Sequence, residues 1–515
     1  MKLKSHWSAS VLVLLALGIA IRLPSIVRPL DEGHRNAQTA TLTARMIEQG
    51  ALRFDPIAPW RGNLDARLVQ EFPVYNLTTI LVGALPGVTL DMAGRITSLI
   101  FWILSFIALQ ALWRRTLPPK AAFWANLLFI FSPMNWYLST AFMPESLLQL
   151  LAIGFMVFAL DYARRSTWTA FVGLFITGFL GLLVKFPGFV HFGLFAALVL
   201  LDRQGWRSLR RPALWGAGLV IGAAILAWGE YVKATNLQHF PYWAGSENLL
   251  GFIQPGRSRL SLSYYIPLVG YNLAFVLPLL VAPFALLGAM QTYRGARNSF
   301  TDRIWLYLAA SLLAYWLVWA KAAPSHSYYN LQNLVLFSAL FGMGVVQALR
   351  WVATRDVPAW MPSLARALVV LILLASGFVG YRYLTRPEQA TVEVAQWVKA
   401  NTNNDDIILY QPRHAAAVMD YQHQPLLSHL TGRRTWIWTR TTRPPEKARA
   451  IASSTYVVIT HPPREPHGLE RLRQRFKGPS PAPPVPATQE TQFPDFIELQ
   501  NTPYFTVFRL MSRAE

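Results

Sequence analysis

Apolar runs recur from the first residues to about position 384, each cut off by a short polar or basic stretch. A membrane-crossing helix needs about 20 mostly apolar residues. On that measure the pattern predicts spans at about 7–23, 96–113, 121–138, 146–163, 168–184, 187–201, 213–230, 266–290, 304–320, 330–349 and 366–384. That makes about eleven crossings. Between the first and second spans, "HRNAQTATLTARMIEQG" reads as a surface helix that stops at Gly50. "EFPVYNLTTILVGALPG" opens with Pro73 in its first turn and stops at Pro86-Gly87. Only about a dozen apolar residues lie between those prolines, too few to cross, so this piece is expected to be interfacial or re-entrant.

From about residue 386 the pattern shortens. "VEVAQWVKANT" reads as a helix, "DIILYQ" and "TYVVIT" as strands, and "GLERLRQRFK" as a helix. "GPSPAPPVPATQ" is a Pro-rich linker, and "FPDFIELQNTPYFTVFRL" reads as a closing hairpin around Asn501-Thr502-Pro503. The expected fold class is an α-helical polytopic membrane domain over 1–385, with external juxtamembrane helices, followed by an α/β domain over 386–515.

Composition agrees with the pattern. The chain is 53% hydrophobic and 14% charged, against about 25% charged in soluble proteins. Its net charge of +21 does not point to nucleic acid. Lys2/Lys4, Arg114/Arg115/Lys120, Arg164/Arg165, Arg203/Arg207/Arg210/Arg211, Arg294/Arg297 and Arg350/Arg355 all fall on one side of the threading, as the positive-inside rule requires. That side is the cytoplasm, so the N-terminus is expected inside and the C-terminal domain outside, as in a multi-pass protein of a cell inner membrane. The first span reads as an uncleaved anchor because further spans follow it. With no cysteine, a disulfide framework or thiolate metal site is excluded. No inverted repeat of the transporter kind is visible.

This threading gathers the polar chemistry on the outer face: Asp31, Glu32, His34, Arg35 and Glu71 in the loop 24–95, Glu145 in a tight turn, Glu247 in the loop 231–265, and "KAAPSHSYYN" with His326, Tyr328 and Tyr329. Each has a structural explanation too. Asp31 could cap the following helix, and Glu71 or Glu145 could be a first-turn acid favoured by the helix dipole. Lys185 could snorkel, Arg95 could anchor a helix end, and the tyrosines could belong to an aromatic belt.

In order and sidedness, these residues resemble the GT-C superfamily of glycosyltransferases that use lipid-phosphate-linked sugars, and within it the protein O-mannosyltransferases and lipid A aminoarabinose transferases. The resemblance rests on the acidic pair Asp31-Glu32 after the first span and the surface helix that follows. It continues with Glu71-Phe72-Pro73 leading to Tyr75, Arg95 in "GRITSL" and Glu145 in "FMPESL". Lys185-Phe186-Pro187-Gly188 and His326-Ser327-Tyr328-Tyr329 complete it. It covers about 1–385 in architecture. Two positions depart from it: Gly33-His34-Arg35 replaces a small residue followed by Tyr, and Phe72 stands where a cation is common.

The resemblance implies transfer of a sugar from a polyprenyl-phosphate donor to an acceptor hydroxyl of lipid A, an envelope glycan or a protein. A lipid phosphate leaves readily, so the reaction needs a base for the acceptor and cations for the leaving phosphate, with inversion rather than a two-carboxylate hydrolase scheme. Asp31 is the implied base and Glu145 the second catalytic acid. Glu32, His34, Arg35, Glu71, Tyr75, Arg95, Lys185, His326, Tyr328 and Tyr329 are the implied substrate contacts. No cofactor is implied, although Glu71 with another carboxylate could hold a divalent ion. Membrane lipids are the remaining partners, and nucleic acid is not one. The rival readings are a transporter or flippase, which would place its charges near mid-membrane, a non-catalytic glycan-binding protein, and an oligosaccharide ligase or polymerase.

Overall fold

The computed structural model describes residues 9–32, 34–50, 54–239, 261–318, 323, 326–355, 357–411, 425–437, 444–460, 496–502 and 505–510. The chain divides into two compact units. One comprises Met1–Pro29, Met46–Pro56 and Arg67–Arg386, and the other Leu30–Arg45, Ile57–Ala66 and Pro387–Glu515. The expected helix 468–477, the Pro-rich linker and Glu247 lie outside the described residues.

In the first unit, 7 described helices are long and apolar enough to cross a membrane: Ala9–Ile26, Leu90–Thr116, Glu145–Arg165, Trp168–Phe189, Pro212–Gln238, Ser327–Ala353 and Met361–Leu384. The apolar pair Leu262–Val276 and Leu279–Gly295, bent by 82°, forms either a broken span or a re-entrant loop. Helices Pro119–Phe131, His191–Gln204 and Phe300–Val318 stand at the other positions expected from the sequence. The chain is a multi-pass membrane protein. Val74–Gly83 is a short apolar helix of 10 residues, which at about 1.5 Å per residue is about 15 Å long and cannot cross. It packs on Leu90–Thr116, where Gly83 lies beside Ala93.

Two breaks in these helices have local causes. In Trp168–Phe189 the backbone unwinds at Lys185, with φ −160° and ψ 82°. Pro187 offers no N–H and its ring crowds the carbonyl four residues back. That carbonyl, on Leu183, accepts instead from the Phe72 N–H at 3.4 Å. At the bent pair, Asn272–Val276 is a π-helical turn, and Pro278 follows it. Asn272 there donates to Asn330 at 3.1 Å and accepts from Asn333 at 2.8 Å. A buried asparagine triad thereby ties the bend to the Ser327–Asn333 turn.

Arg22 is the largest buried charge of the first span. Helix Pro119–Phe131 stops before Pro133, so its last carbonyls lack helical donors. The Asn135 amide donates to the Phe129 carbonyl, and Arg22 donates to that of Ile130 at 3.1 Å. Arg22 also donates to Gly18 O at 2.9 Å and to Ser139 Oγ, and its guanidinium lies 3.9 Å from the Trp102 ring centroid. Arg22→Met leaves a buried carbonyl and a hydroxyl without that donor. It should lower unfolding stability in detergent by about 2–3 kcal/mol, with Arg22→Lys recovering only part; denaturant titration of both variants checks this.

The second unit is built on a five-stranded sheet of order β2-β1-β3-β5-β4, with β1 Ile407–Gln411, β2 Arg434–Ile437, β3 Tyr456–Thr460, β4 Phe496–Asn501 and β5 Phe505–Leu510. β1 pairs in parallel with β2 and β3, and β5 pairs antiparallel with β3 and β4. The expected helix and strands are present. On one face Val394, Ala395 and Val398 of Gln389–Asn401 pack on Ile408, Tyr410, Val458 and Val507. On the other, Ala450, Ile451 and Leu64 cover Leu409, Trp436, Val457 and Phe508. The basic-aromatic stretch "LTGRRTWIWTRTTRPP" reads in the sequence as a surface hairpin with a buried Trp. Trp436 is buried, but 434–437 forms the parallel strand β2, because its partner lies further back in sequence at β1. A first-loop piece extends this edge: Gly62 N donates to Thr435 O at 2.8 Å, and Thr435 N to Pro59 O at 2.9 Å. Only glycine fits at 62, where φ is +56° and a Cβ would lie 2.0 Å from the Trp436 ring.

Candidate active site

The unwinding at Lys185 turns its side chain into the first unit, where it is 6% exposed. Its ammonium forms an ion pair with Glu145 and lies 3.8 Å from Glu71 Oε1. It also sits 4.6 Å and 4.8 Å from the ring centroids of Tyr328 and Tyr329. An ammonium carries three donors, and here two directions are taken by carboxylates while aromatic faces supply further attraction. Glu145, 1% exposed, is the first residue of Glu145–Arg165, where the helix dipole favours a negative charge.

The tyrosines reach Lys185 because Ser327–Asn333 is a tight 3-10 turn. His326 closes the same cluster, its ring 5.4 Å from that of Tyr328 and 6.1 Å from that of Tyr329.

Beneath this centre, the turn that delivers Glu145 is held from several sides. Arg95 donates to Thr140 O at 3.0 Å and to Pro29 O at 3.0 Å. The Tyr75 hydroxyl donates to Gly94 O at 2.8 Å and lies 2.9 Å from Ser98 Oγ, which donates to Ala141 O. Ser146 Oγ donates to Leu138 O at 2.9 Å, and Arg22 reaches Ser139. Burial pushes the Tyr75 phenol up, so it stays a neutral donor at physiological pH. Arg95 and Tyr75, implied as substrate contacts, make hydrogen bonds to backbone carbonyls in and around the acidic turn.

The structure brings Glu71, Glu145, Lys185, His326, Tyr328 and Tyr329 together, with Tyr75 and Arg95 under them. Asp31, Glu32, His34 and Arg35 belong to the second unit. Asp31 is half-buried, and its backbone carbonyl accepts from Glu388 N at 2.9 Å. The helix starts at His34, so the cap position falls at 33 and Asp31 lies ahead of it. Glu32 is buried, and its carbonyl accepts from Asn36 Nδ2 at 3.3 Å. Arg35 donates to Gln38 Oε1 at 2.6 Å, and the His34 side chain is outside the described residues. Among the described residues, no group of three or more His, Asp or Glu is placed to hold a metal ion.

Sequence reasoning missed Arg22, Gln149, His191 and the asparagine triad. Each carried a visible sign: a charged or amide side chain inside an apolar stretch is costly and calls for a partner.

The family described as dolichyl-phosphate-mannose-protein mannosyltransferase matches residues 71–228, the stretch that carries Glu71, Tyr75, Arg95, Glu145 and Lys185. ArnT from Cupriavidus metallidurans, solved bound to undecaprenyl phosphate, superposes with a TM-score of 0.62 over 97% of this chain and 98% of that one, at 14% identity. The chain shares the fold of ArnT over nearly its whole length. Arabinofuranosyltransferase AftD from Mycobacteria matches at TM-score 0.50 and 14% identity, covering 97% of this chain but 41% of its own. No curated protein sequence matches this chain. The Lys185 centre is a buried ionic cluster within the stretch that the family model matches or borders.

Proposed function

We propose that the chain moves one sugar from a polyprenyl phosphate to an acceptor hydroxyl on the external side of the membrane, with inversion at the anomeric carbon. The observation that carries this reading is Lys185, a buried cation held by Glu71 and Glu145 over two tyrosine rings in an otherwise apolar bundle. A lysine so placed can receive the phosphate of a lipid whose chain stays among the spans. As the bond from the anomeric carbon to the phosphate oxygen breaks, its electron pair leaves with the phosphate, and Lys185 stabilises that charge. Tyr328 and Tyr329 flank the same charge, and His326 adds a donor beside them. The acceptor oxygen forms the new bond from the opposite face and gives its proton to a base, a role that only the resemblance in sequence implies for Asp31. Glu145 and Glu71 orient Lys185 and compete with the phosphate for it, so the product lipid is released as the ion pair reforms. Arg95 and Tyr75 are positioning residues that hold the Glu145 turn.

Supplied with radiolabelled undecaprenyl-phospho-sugars and nucleotide sugars in parallel, the purified protein in nanodiscs should draw sugar from the lipid donors alone. Use of a nucleotide sugar would contradict the proposal. The basic loops support an external C-terminal domain, so a tag at residue 515 should react with an impermeant label in intact spheroplasts. Protection of that tag would reverse the threading.

The bent pair at 262–295 and the break at Lys185 also suit a transporter, in which discontinuous helices flank the substrate. Net movement of intact lipid-linked sugar between leaflets, without turnover, would favour that reading.

A further inference from the structure

Gln149 lies one helical turn past Glu145, and residues four apart share a helix face, so its amide points with the carboxylate. A Cβ on Gly188 would meet Leu148 at one end of this helix, while Gln204 Nε2 donates to Tyr162 O and Ala163 O at the other. These contacts run 188–204 parallel to Glu145–Arg165 and set His191 at about the level of Gln149. Gln149 is 0% and His191 1% exposed. Neither amide atom of Gln149, neither ring nitrogen of His191, nor Oε2 of Glu145 has a hydrogen-bond partner among the described residues. The His191 ring lies 5.0 Å from that of Tyr315, which packs in one cluster with Tyr329 beside Lys185. Glu145 Oε2 belongs to the Lys185 centre, Gln149 lies one helical turn from it, and His191 is linked to it through Tyr315 and Tyr329.

Buried polar groups are built to be satisfied, and their chemistry says by what. The amide and the imidazole each offer a donor and an acceptor, and Glu145 Oε2 only accepts. An anionic ligand would meet that carboxylate, and a cationic one would meet Lys185. A neutral group bearing several hydroxyls suits the set, because each hydroxyl can both donate and accept. We propose that Gln149 and His191 bind the hydroxyls of the sugar on the donor lipid and so select which sugar is transferred. This rests on the donor assigned above. The phosphate would stay with Lys185, so the two parts of the donor are read by separate residues.

The test is equilibrium binding of three probes to the full chain in detergent: undecaprenyl phosphate, undecaprenyl-phospho-mannose and undecaprenyl-phospho-arabinose. The wild type should bind at least one sugar-bearing lipid about tenfold more tightly than the bare lipid, a difference of about 1.4 kcal/mol. Gln149→Leu and His191→Phe should each bring that ratio to within about twofold while leaving bare-lipid affinity in place. Bare-lipid binding also reports that a variant has folded. Should His191→Phe fail to fold, His191→Gln, which keeps a donor and an acceptor, should retain part of the preference. A ratio unchanged in the variants, or a wild type that binds all three lipids equally, would overturn the sugar assignment. A wild type that binds none of the three would instead overturn the donor reading beneath it.

Discussion

Lys185→Met should be the most damaging single substitution in the first unit. It leaves the Glu145 carboxylate 1% exposed and without its cation, and breaking one side of a buried pair costs about 3–5 kcal/mol. Donor-lipid binding should vanish with it, because Lys185 is the cation proposed to receive the lipid phosphate. The informative comparison is Lys185→Met combined with Glu145→Gln. Removing both charges removes the uncompensated one, so most of the stability should return while lipid binding stays lost. Unfolding in detergent and lipid titration on the same samples separate the two effects. A Lys185→Met protein as stable as wild type, with undiminished lipid affinity, would show that the ion pair supports neither the fold nor the donor.

Asp31→Asn should produce the largest loss of turnover at the smallest structural cost. The substitution keeps size and leaves intact the backbone carbonyl that accepts from Glu388 N, but an amide cannot take the acceptor proton. A positioned general base contributes about 10²–10⁴ to rate, and the transfer rate should fall by that factor with donor binding unchanged. Asp31→Glu, which keeps the carboxylate on a longer arm, should retain part of the activity. Near-normal turnover in Asp31→Asn would assign the carboxylate a structural role.

The helices were legible because burial in a bilayer demands long apolar runs. Of the eleven expected spans, however, 7 fall on described helices long and apolar enough to cross, while 121–138 and 266–290 fall on broken helices. The hinge at Lys185 was half legible. Pro187 marks a break on local grounds, but nothing local says that the freed side chain meets Glu145, 40 residues earlier in the chain. Arg22, at the end of an apolar run, drew no reading from the sequence, yet it is fully buried against the Ile130 carbonyl and Trp102. Arg95 and Tyr75, implied as substrate contacts, also donate to backbone carbonyls, partners that polar side chains at a span's outer end do not announce in the sequence. β2 escaped notice because parallel pairing is set by a partner distant in sequence, while a hairpin announces itself in its turn. The same holds for 57–66, whose place at the β2 edge depends on Thr435.

The most direct test of donor-dependent glycosyl transfer is mass spectrometry of the cell envelope from a strain lacking this chain. The account predicts that one glycan, lipid A or glycoprotein species loses a single sugar, while the polyprenyl phosphate bearing that sugar accumulates. Both changes should revert with the wild-type chain and not with Asp31→Asn. An envelope unchanged in every glycan, with no build-up of the glycosylated lipid, would contradict it.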